Sequence, residues 1–222
     1  MTAAASKSIL PYTYADRLAL GAEIRVPATL EEYLEFAEQC EYRVEYSNGQ
    51  IISMGHPTDT HELICGNAIR VIGNLFAEED PFAVYGSNLG IFIPVSGVYY
   101  KPDAVVLDRP PEYTFHKVGK KTLKSVLNPF AAIEVFSDST MDYDLTEKLP
   151  NYKQCPYLNY IIYIHQHKPF ATVYTRTDDP TGWLNHDYVG LEAAFSFEGR
   201  RVSVRQLYRK VIFAERPPHP AR

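Results

Sequence analysis

Cysteine is scarce in this chain: the 222 residues include only three, Cys40, Cys65 and Cys155. They are odd in number and widely spaced, and no C-x-x-C pair is present. This pattern is typical of free thiols in a reducing compartment. It disfavours a disulfide framework or a zinc site.

Long apolar runs are also missing. The N-terminal sequence MTAAASKSIL lacks the apolar stretch of a secretion signal, and no run approaches the ~20 apolar residues that a membrane span needs. We therefore expect a soluble, cytoplasmic protein with no membrane partner.

An excess of positive charge is absent as well. Lysine and arginine number 22 against 27 aspartates and glutamates, which gives a net charge of −5. A protein with this balance must bind nucleic acid, if at all, through a local basic patch, so the total charge is weak evidence either way. Hydrophobic residues make up 45% and charged residues 22%, proportions that are ordinary for a globular protein and argue against disorder.

The length favours one domain, because a second core would need about 100 residues of its own. We assign residues 1–27 to an N-terminal arm, 28–212 to a single domain, and 213–222 to a disordered tail. No internal repeat and no linker divides the chain.

Hydrophobic periods predict an α/β fold. Thr29 and Glu32 form a capping box before a helix that reaches Cys40, and Asn48-Gly49 marks a hairpin turn between two β-rich runs. A second helical stripe follows at 61–76. The other expected elements are strands at 82–86, 89–95 and 98–107, a lysine-rich loop at 113–125, a buried strand at 130–136, a helix from Met141, strands at 157–164 and 170–175, an edge hairpin at 182–198 and a terminal helix at 202–212.

Two carboxylates occupy positions that a folded core disfavours. Asp103 follows Pro102 and opens the apolar run AVVL, and Glu134 lies inside the apolar strand FAAIEVF. A buried ionised carboxylate is costly unless it is paired, hydrogen-bonded or bound to a cation. A divalent ion would satisfy both acids, and Mg²⁺ prefers such oxygen ligands. The alternative is that Glu134 pairs with a buried Arg or Lys while Asp103 caps its strand.

Three other positions are weaker candidates. Glu45 lies on the first strand of the predicted hairpin, where an acid more often faces solvent, although it could add a third carboxylate. His61 opens the second helix, where a lone histidine is usually a cap or a surface residue. His165-Gln166-His167 ends a strand beside Lys168, and a surface location is favoured there over a metal site.

Asp144, Lys148 and Tyr152 follow one another at steps of four residues, which places them on one face of a helix. This face is either a surface ion pair beside a tyrosine or the wall of a cleft. In the second case Lys148 lies near the phosphate or the attacking water. Pro150 is expected to kink or end the helix.

The order of these features resembles the Uma-two family of restriction-endonuclease-like proteins, within the PD-(D/E)-x-K nuclease superfamily. The resemblance implies a mixed β-sheet flanked by helices, with an N-terminal helix, a β-hairpin and a metal cleft at one sheet edge. The matching segments, within residues 28–176, are VEYSNGQI with Glu45, His61 at a helix start, KPDAVVL with Asp103, IEVFSDST with Glu134, and DLTEK with Lys148 ahead of Tyr152 and LNYIIYI.

By that resemblance Asp103 is the aspartate after proline, Glu134 the second carboxylate and Glu45 an extra acid. All three would be metal ligands and catalytic residues. The wider superfamily has a lysine two residues after the second acid, and this chain has Phe136 there. The family pattern supplies a lysine from the following helix instead, which maps to Lys148.

The resulting hypothesis is a Mg²⁺- or Mn²⁺-dependent endonuclease that hydrolyses DNA, with Lys148 orienting the water or offsetting phosphoryl charge. A homodimer is expected because cutting two strands requires two sites. The candidate phosphate-binding residues are Lys117, Lys120, Lys121 and Lys124, with Arg200, Arg201, Arg205, Arg209 and Lys210 as a second basic group.

Two other function classes stay open. A nuclease-like scaffold that binds nucleic acid or protein without cutting is favoured by the absence of lysine at Phe136. A metal-dependent hydrolase of small phosphoesters would instead bind a nucleotide tightly and show no salt-sensitive binding of DNA.

Overall fold

The computed structural model describes residues 10–21, 23–118, 121–137 and 140–213. In these ranges the helical elements are α1 (Tyr14–Leu18), α2 (Leu30–Gln39), α3 (Asp59–Gly73), α4 (Met141–Tyr143), a π-helical turn (Asp144–Lys148), α5 (Leu149–Gln154) and α6 (Val204–Leu207). The strands are β1 (Ile24–Pro27), β2 (Glu45–Ser47), β3 (Gln50–Ser53), β4 (Ala83–Gly86), β5 (Gly90–Ile93), β6 (Val98–Tyr100), β7 (Ala104–Leu107), β8 (Tyr113–Val118), β9 (Lys121–Val126), β10 (Ala131–Phe136), β11 (Tyr160–His165), β12 (Phe170–Arg176), β13 (Trp183–Val189), β14 (Ala194–Phe197) and β15 (Arg200–Ser203).

Most of these strands belong to two sheets. A seven-stranded sheet has the order β1-β3-β2-β6-β5-β9-β8, and a six-stranded sheet has the order β13-β12-β11-β10-β7-β4. Both sheets are mixed, because β5 pairs with β9 and β10 with β11 in parallel while their other neighbours are antiparallel. β14 and β15 pair only with each other in the described part of the chain.

The helices bury their apolar stripes on these sheets. α2 packs Tyr33 and Phe36 against the seven-stranded sheet, and α3 packs Ile64 and Ile72 against the six-stranded sheet. Each such side chain contributes roughly 1.5–3 kcal/mol when fully buried. A further core contains side chains of both sheets together with Tyr152 of α5, so α5 and the two sheets pack against one another.

Several sequence predictions are confirmed. The capping box at Thr29 is present, and Asn48 and Gly49 adopt positive φ values of 51° and 72° in the turn between β2 and β3. That turn suits them because asparagine and glycine tolerate the left-handed region best. All six residues of β10 are buried, as its apolar sequence predicted, because each face of the strand packs into a different hydrophobic core.

The single strand expected at 98–107 is wrong. β6 belongs to the seven-stranded sheet and β7 to the six-stranded sheet, and Lys101-Pro102-Asp103 passes between them. Proline has no backbone N–H for a strand ladder, so pairing is interrupted at Pro102. This crossover brings an acidic residue to the place where the two sheets meet.

The lysine-rich loop expected at 113–125 is also wrong, because β8 and β9 pair there as an antiparallel hairpin. β8 is an edge strand of the seven-stranded sheet. Lysines are common on such edges because they hinder pairing with another chain. The many lysines of this segment therefore led to a loop being predicted where two strands pair.

The C-terminal elements differ from the prediction too. β13 pairs along its whole length with β12, whereas the hairpin of this region is formed by β14 and β15. Its turn contains Glu198 and Gly199, both with positive φ. The terminal helix predicted at 202–212 is reduced to the four residues of α6.

The N-terminal arm and the C-terminal tail were both predicted to lie outside the domain. Within the predicted arm, β1 pairs with β3 and extends the seven-stranded sheet. The domain boundary at residue 28 stays a prediction. The tail predicted at 213–222 lies outside the described residues except for Phe213. No helix among the described residues has the length and apolar character needed to cross a membrane.

Candidate active site

Asp103 and Glu134 are neighbours on adjacent strands. The antiparallel register of β7 and β10 pairs Ala104 with Ile133, so the next residues outward, Asp103 and Glu134, lie side by side. The backbone N–H of Val135 donates to Asp103 Oδ2 at 2.8 Å, which fixes the aspartate against β10. Both acids are buried, with 7% and 3% of their surface exposed.

Glu45 joins them from the other sheet. It lies on β2, and its Oε1 accepts the backbone N–H of Lys101 at 2.8 Å, in the crossover that leads to Asp103. The hydroxyl of Tyr143 donates to Oε2 at 2.9 Å. Because Glu45 is buried, the solvent-facing position that is usual for such a strand residue does not apply here.

Lys148 connects the acids. Its Nζ lies 3.0 Å from Glu134 Oε1, 3.1 Å from Glu45 Oε1 and 3.5 Å from Asp144 Oδ1. Tyr152 donates its hydroxyl to Glu134 Oε1 at 2.7 Å. Asp144 and Lys148 of the predicted helical face line the cleft, and Tyr152 is buried behind them. The alternative of a surface ion pair is wrong, because both charged residues are buried. We call Glu45, Glu134, Asp144 and Lys148 the lysine end of the cleft.

The expected break at Pro150 does not occur. Pro150 stands in the first turn of α5, where a missing N–H is tolerated. The preceding turn is π-helical, and the N–H of Leu149 donates to the carbonyl of Asp144 five residues back. A π-helical turn widens the helix by one residue and is common at functional sites. Here it carries Asp144 at its first position and Lys148 at its last.

A second group surrounds Asp103. His61 Nε2 lies 3.3 Å from Asp103 Oδ2, and Arg43 Nη1 lies 3.2 Å from Oδ1. His61 is thus a partner of the aspartate, and its expected role as a cap or surface residue is wrong. We call Asp103, His61 and Arg43 the aspartate end of the cleft.

Local charges shift the two central acids in opposite directions. Burial, reinforced by the nearby carboxylates and opposed by Lys148, raises the pKa of Glu134 to about 8. Burial also raises the pKa of Asp144 to about 6. Burial would do the same at Asp103, but the hydrogen bond and charge of His61 and the charge of Arg43 lower its pKa to about 2.

These groups line one cleft of about 580 Å³. Its wall includes both ends defined above, the start of α3 at Thr58, and Gln166 and His167 after β11. The surface location expected for His165-Gln166-His167 holds only for His167, because His165 and Gln166 are buried. Gln166 donates to Thr58 Oγ1 at 2.7 Å and so joins β11 to the start of α3.

Those residues of the predicted basic surfaces whose side chains are described do not line this cleft. Lys124 is on β9, with its Nζ 3.5 Å from the ring centre of Tyr113, and it is not among the residues that line the cleft. The side chains of Lys117, Lys120 and Lys121 fall outside the described residues. Arg200 pairs with Asp80 and Arg205 with Glu192. Their assignment as phosphate-binding residues stays a prediction.

The donor set of the cleft fits a divalent cation. Four buried carboxylates, of Glu45, Asp103, Glu134 and Asp144, face two permanently charged cations, Arg43 and Lys148. Acids therefore outnumber permanently charged cations here, and the pKa of Glu134, raised to about 8, is consistent with this shortage of cationic partners. Carboxylate oxygens are also the ligands that Mg²⁺ and Mn²⁺ prefer.

Comparison with known proteins gives a family. The family model Uma2, described as "Putative restriction endonuclease", matches residues 30–201. The matched range contains all four carboxylates and Lys148. The resemblance inferred from the ordered sequence motifs is therefore confirmed.

Relatives and a solved structure agree with this match. The uncharacterized protein sll1609 of Synechocystis sp. is 25% identical over 174 residues, covering 78% of this chain and 94% of its own length. The uncharacterized protein slr1290 of the same organism is 28% identical over 158 residues, covering 71% and 78%. A crystal structure described as "a putative nuclease belonging to DUF820", from Anabaena variabilis, aligns with a TM-score of 0.62 at 18% identity, covering 82% of this chain and 98% of that one. This likeness confirms the nuclease-like α/β fold.

Proposed function

The chain belongs to the Uma2 family, and on that premise we propose that its cleft hydrolyses phosphodiester bonds of DNA with a bound divalent cation, Mg²⁺ or Mn²⁺. The observation that carries this proposal is the convergence of acids from both sheets on the ammonium of Lys148. Such a set of buried carboxylates with one lysine can hold a cation and a phosphate side by side.

Asp103 and Glu134, with Glu45, are the residues that would hold the ion. When bound, such an ion lowers the pKa of a coordinated water and offsets charge on the phosphoryl group. The protein keeps these acids in place through hydrogen bonds. The Val135 N–H holds Asp103, and the hydroxyl of Tyr152 holds Glu134.

Lys148 is the candidate for orienting the attacking water or offsetting the phosphoryl charge. Its ammonium is buried at 5% exposure and is fixed by three carboxylates, so it needs little reorganisation when a substrate arrives. The alternative of a non-cutting scaffold was favoured by the absence of lysine at position 136. The contact of Lys148 with Glu134 weakens that argument, because a lysine reaches the second acid from the helix instead.

The test is cleavage of supercoiled and single-stranded DNA by the purified protein with Mg²⁺ or Mn²⁺. We expect Asp103→Asn, Glu134→Gln and Lys148→Met each to lower the rate by about a hundredfold or more. Asp187→Asn, an exposed acid on β13, is the matched control and should keep full activity. Circular dichroism would establish that each variant is folded.

Equal cleavage by the wild type and the Asp103 and Glu134 variants would overturn the proposal for this cleft. Salt-sensitive DNA binding without cleavage would favour the non-cutting scaffold. The predicted homodimer can be checked in the same preparation by sedimentation, since cutting both strands requires two copies of the site.

A further inference from the structure

α3 presents a second kind of metal ligand to the cleft. His61 and Cys65 are four residues apart, which places them on one face of this helix, and that face looks toward Asp103. His61 Nε2 lies 3.3 Å from Asp103 Oδ2 and 4.0 Å from Cys65 Sγ. One ligand atom from each residue can be chosen so that all three lie within 4.8 Å of one another.

These separations suit a tetrahedral ion. Zinc bonds of about 2.0–2.2 Å to nitrogen and oxygen and about 2.3 Å to sulfur give edges of roughly 3.4 Å for N···O and 3.6 Å for N···S. The observed 3.3 Å and 4.0 Å differ from these edges by a few tenths of an ångström. The third edge, from Cys65 Sγ to a carboxylate oxygen of Asp103, is within 4.8 Å, so binding an ion would require the three side chains to draw together.

The donor types differ from those of the lysine end. A nitrogen, a sulfur and one carboxylate oxygen favour a borderline ion such as Zn²⁺ over Mg²⁺, which prefers oxygen alone. We propose that His61, Cys65 and Asp103 form a second cation site for a divalent transition metal of the Zn²⁺ class. Cys65 would bind the ion as a thiolate and release its proton to solvent. The two negative charges of this thiolate and the Asp103 carboxylate would then balance the two positive charges of the ion.

The surroundings leave room for this ion. Arg43 contacts Asp103 Oδ1, whereas Oδ2 accepts the Val135 N–H and directs its other lone pair toward His61. The side chain of His61 is 15% exposed and lines the cleft, so a fourth coordination position would open to the cleft. Three protein ligands with an open fourth position are typical of zinc sites that bind water or a substrate oxygen. The fourth ligand we infer is a water or a phosphate oxygen.

The site shares Asp103 with the proposed magnesium site, but it does not require nuclease activity. Its test is the absorption spectrum of Co²⁺ added to the chelator-treated full-length protein. Tetrahedral Co²⁺ with a thiolate ligand gives intense visible bands and a charge-transfer band in the near ultraviolet. We expect both in the wild type, and we expect Zn²⁺, but not Mg²⁺, to remove them.

Variants assign the bands to residues. Cys65→Ser should remove the charge-transfer band, and His61→Ala should weaken Co²⁺ binding by about tenfold or more. Cys155→Ser is the matched control, since Cys155 is a buried thiol at the end of α5 and does not line the cleft, and it should keep the band. Unfolding midpoints establish that the variants are folded.

Two results would overturn the site: a Co²⁺ spectrum without a charge-transfer band in the wild type, or a band that survives Cys65→Ser. Glu134→Gln separates this inference from the proposed function. Loss of DNA cleavage with retention of the Co²⁺ bands supports two distinct sites. Loss of the bands in that variant would assign the ion to the lysine end and contradict the proposal.

Discussion

The aspartate end and the lysine end of the cleft begin with neighbouring acids of similar burial, yet the pKa values of these acids move in opposite directions. Asp103 has two oxygens held by His61, Arg43 and a backbone N–H, and its pKa falls to about 2. Glu134 shares the single ammonium of Lys148 with other carboxylates, and its pKa rises to about 8. Burial alone therefore does not set the charge state; the ratio of cationic partners to acids does.

This difference indicates at which end a bound cation should change the protonation of the acids more. At the aspartate end the negative charge is already balanced by the protein. At the lysine end three acids share one lysine, so the pKa values of Glu134 and Asp144 are raised and a bound cation would displace protons from them. Four substitutions measured in metal-free buffer would test this contrast, and Lys148 is the position where the strongest effect is expected.

Removal of Lys148 should have the largest effect. Lys148→Met leaves three buried carboxylates without their cation, and loss of one partner of a buried ion pair costs about 3–5 kcal/mol. Urea unfolding at neutral pH measures the loss. Lys168→Met, at an exposed lysine, is the control and should change the free energy of unfolding by less than about 0.5 kcal/mol. Equal losses in both variants would contradict the role of Lys148.

Asp103→Asn should have the next largest effect, about 2 kcal/mol at neutral pH. The pKa of Asp103 is lowered from 3.8 to about 2, so its contribution is present above about pH 4 and is lost as pH falls toward about 2. Unfolding free energies measured between these values should decline more in the wild type than in Asp103→Asn. Parallel declines would show that Asp103 is not stabilised as a carboxylate.

Glu134→Gln should change how the free energy of unfolding depends on pH at neutral and alkaline pH, whereas Asp103→Asn changes it at acid pH. The pKa of Glu134 is raised from 4.5 to about 8, so stability is fully present below about pH 4.5 and is lost as pH rises through about 8. The glutamine variant should lose less stability across this range, by up to about 1.4 kcal/mol for each pH unit. The measurement is the slope of unfolding free energy against pH. A steeper slope in the variant would contradict the contrast between the two ends.

Arg43→Gln should have the smallest effect. Its side chain is 40% exposed, so its ion pair with Asp103 is screened by solvent and contributes at most about 1 kcal/mol. We expect the loss to shrink as salt is added. Urea unfolding at low and high ionic strength gives this comparison. A salt-independent loss above about 2 kcal/mol, twice the expected maximum, would mean that Arg43 acts as a buried partner.

Local sequence was sufficient for part of the site. Asp103 and Glu134 stand out because each interrupts an apolar run, and burial makes such an interruption costly. The common face of Asp144, Lys148 and Tyr152 follows from helical spacing alone. The capping box at Thr29 predicts the start of α2 for the same reason: the interacting groups are only a few residues apart.

Other features of the site could not be predicted from local sequence patterns. His61 and Arg43 are each more than forty residues away from Asp103 in the sequence. No residue near either of them indicates that Asp103 is its partner. A signal did exist for Arg43, which precedes Glu45 by two residues and so shares its side of an extended segment. Cys65 stands four residues after His61, but their common target is Asp103, which belongs to a distant strand.

Sequence patterns were enough to identify the apolar positions, the starts of helices and turns, and the acids that a core disfavours. These properties depend on interactions over a few residues. The tertiary structure was needed to show that β6 and β7 belong to different sheets, that the lysine-rich segment is a hairpin, and that Asp103 contacts His61. Those outcomes depend on which strands pair and how sheets pack, because alternation specifies the face of a strand but not its neighbour.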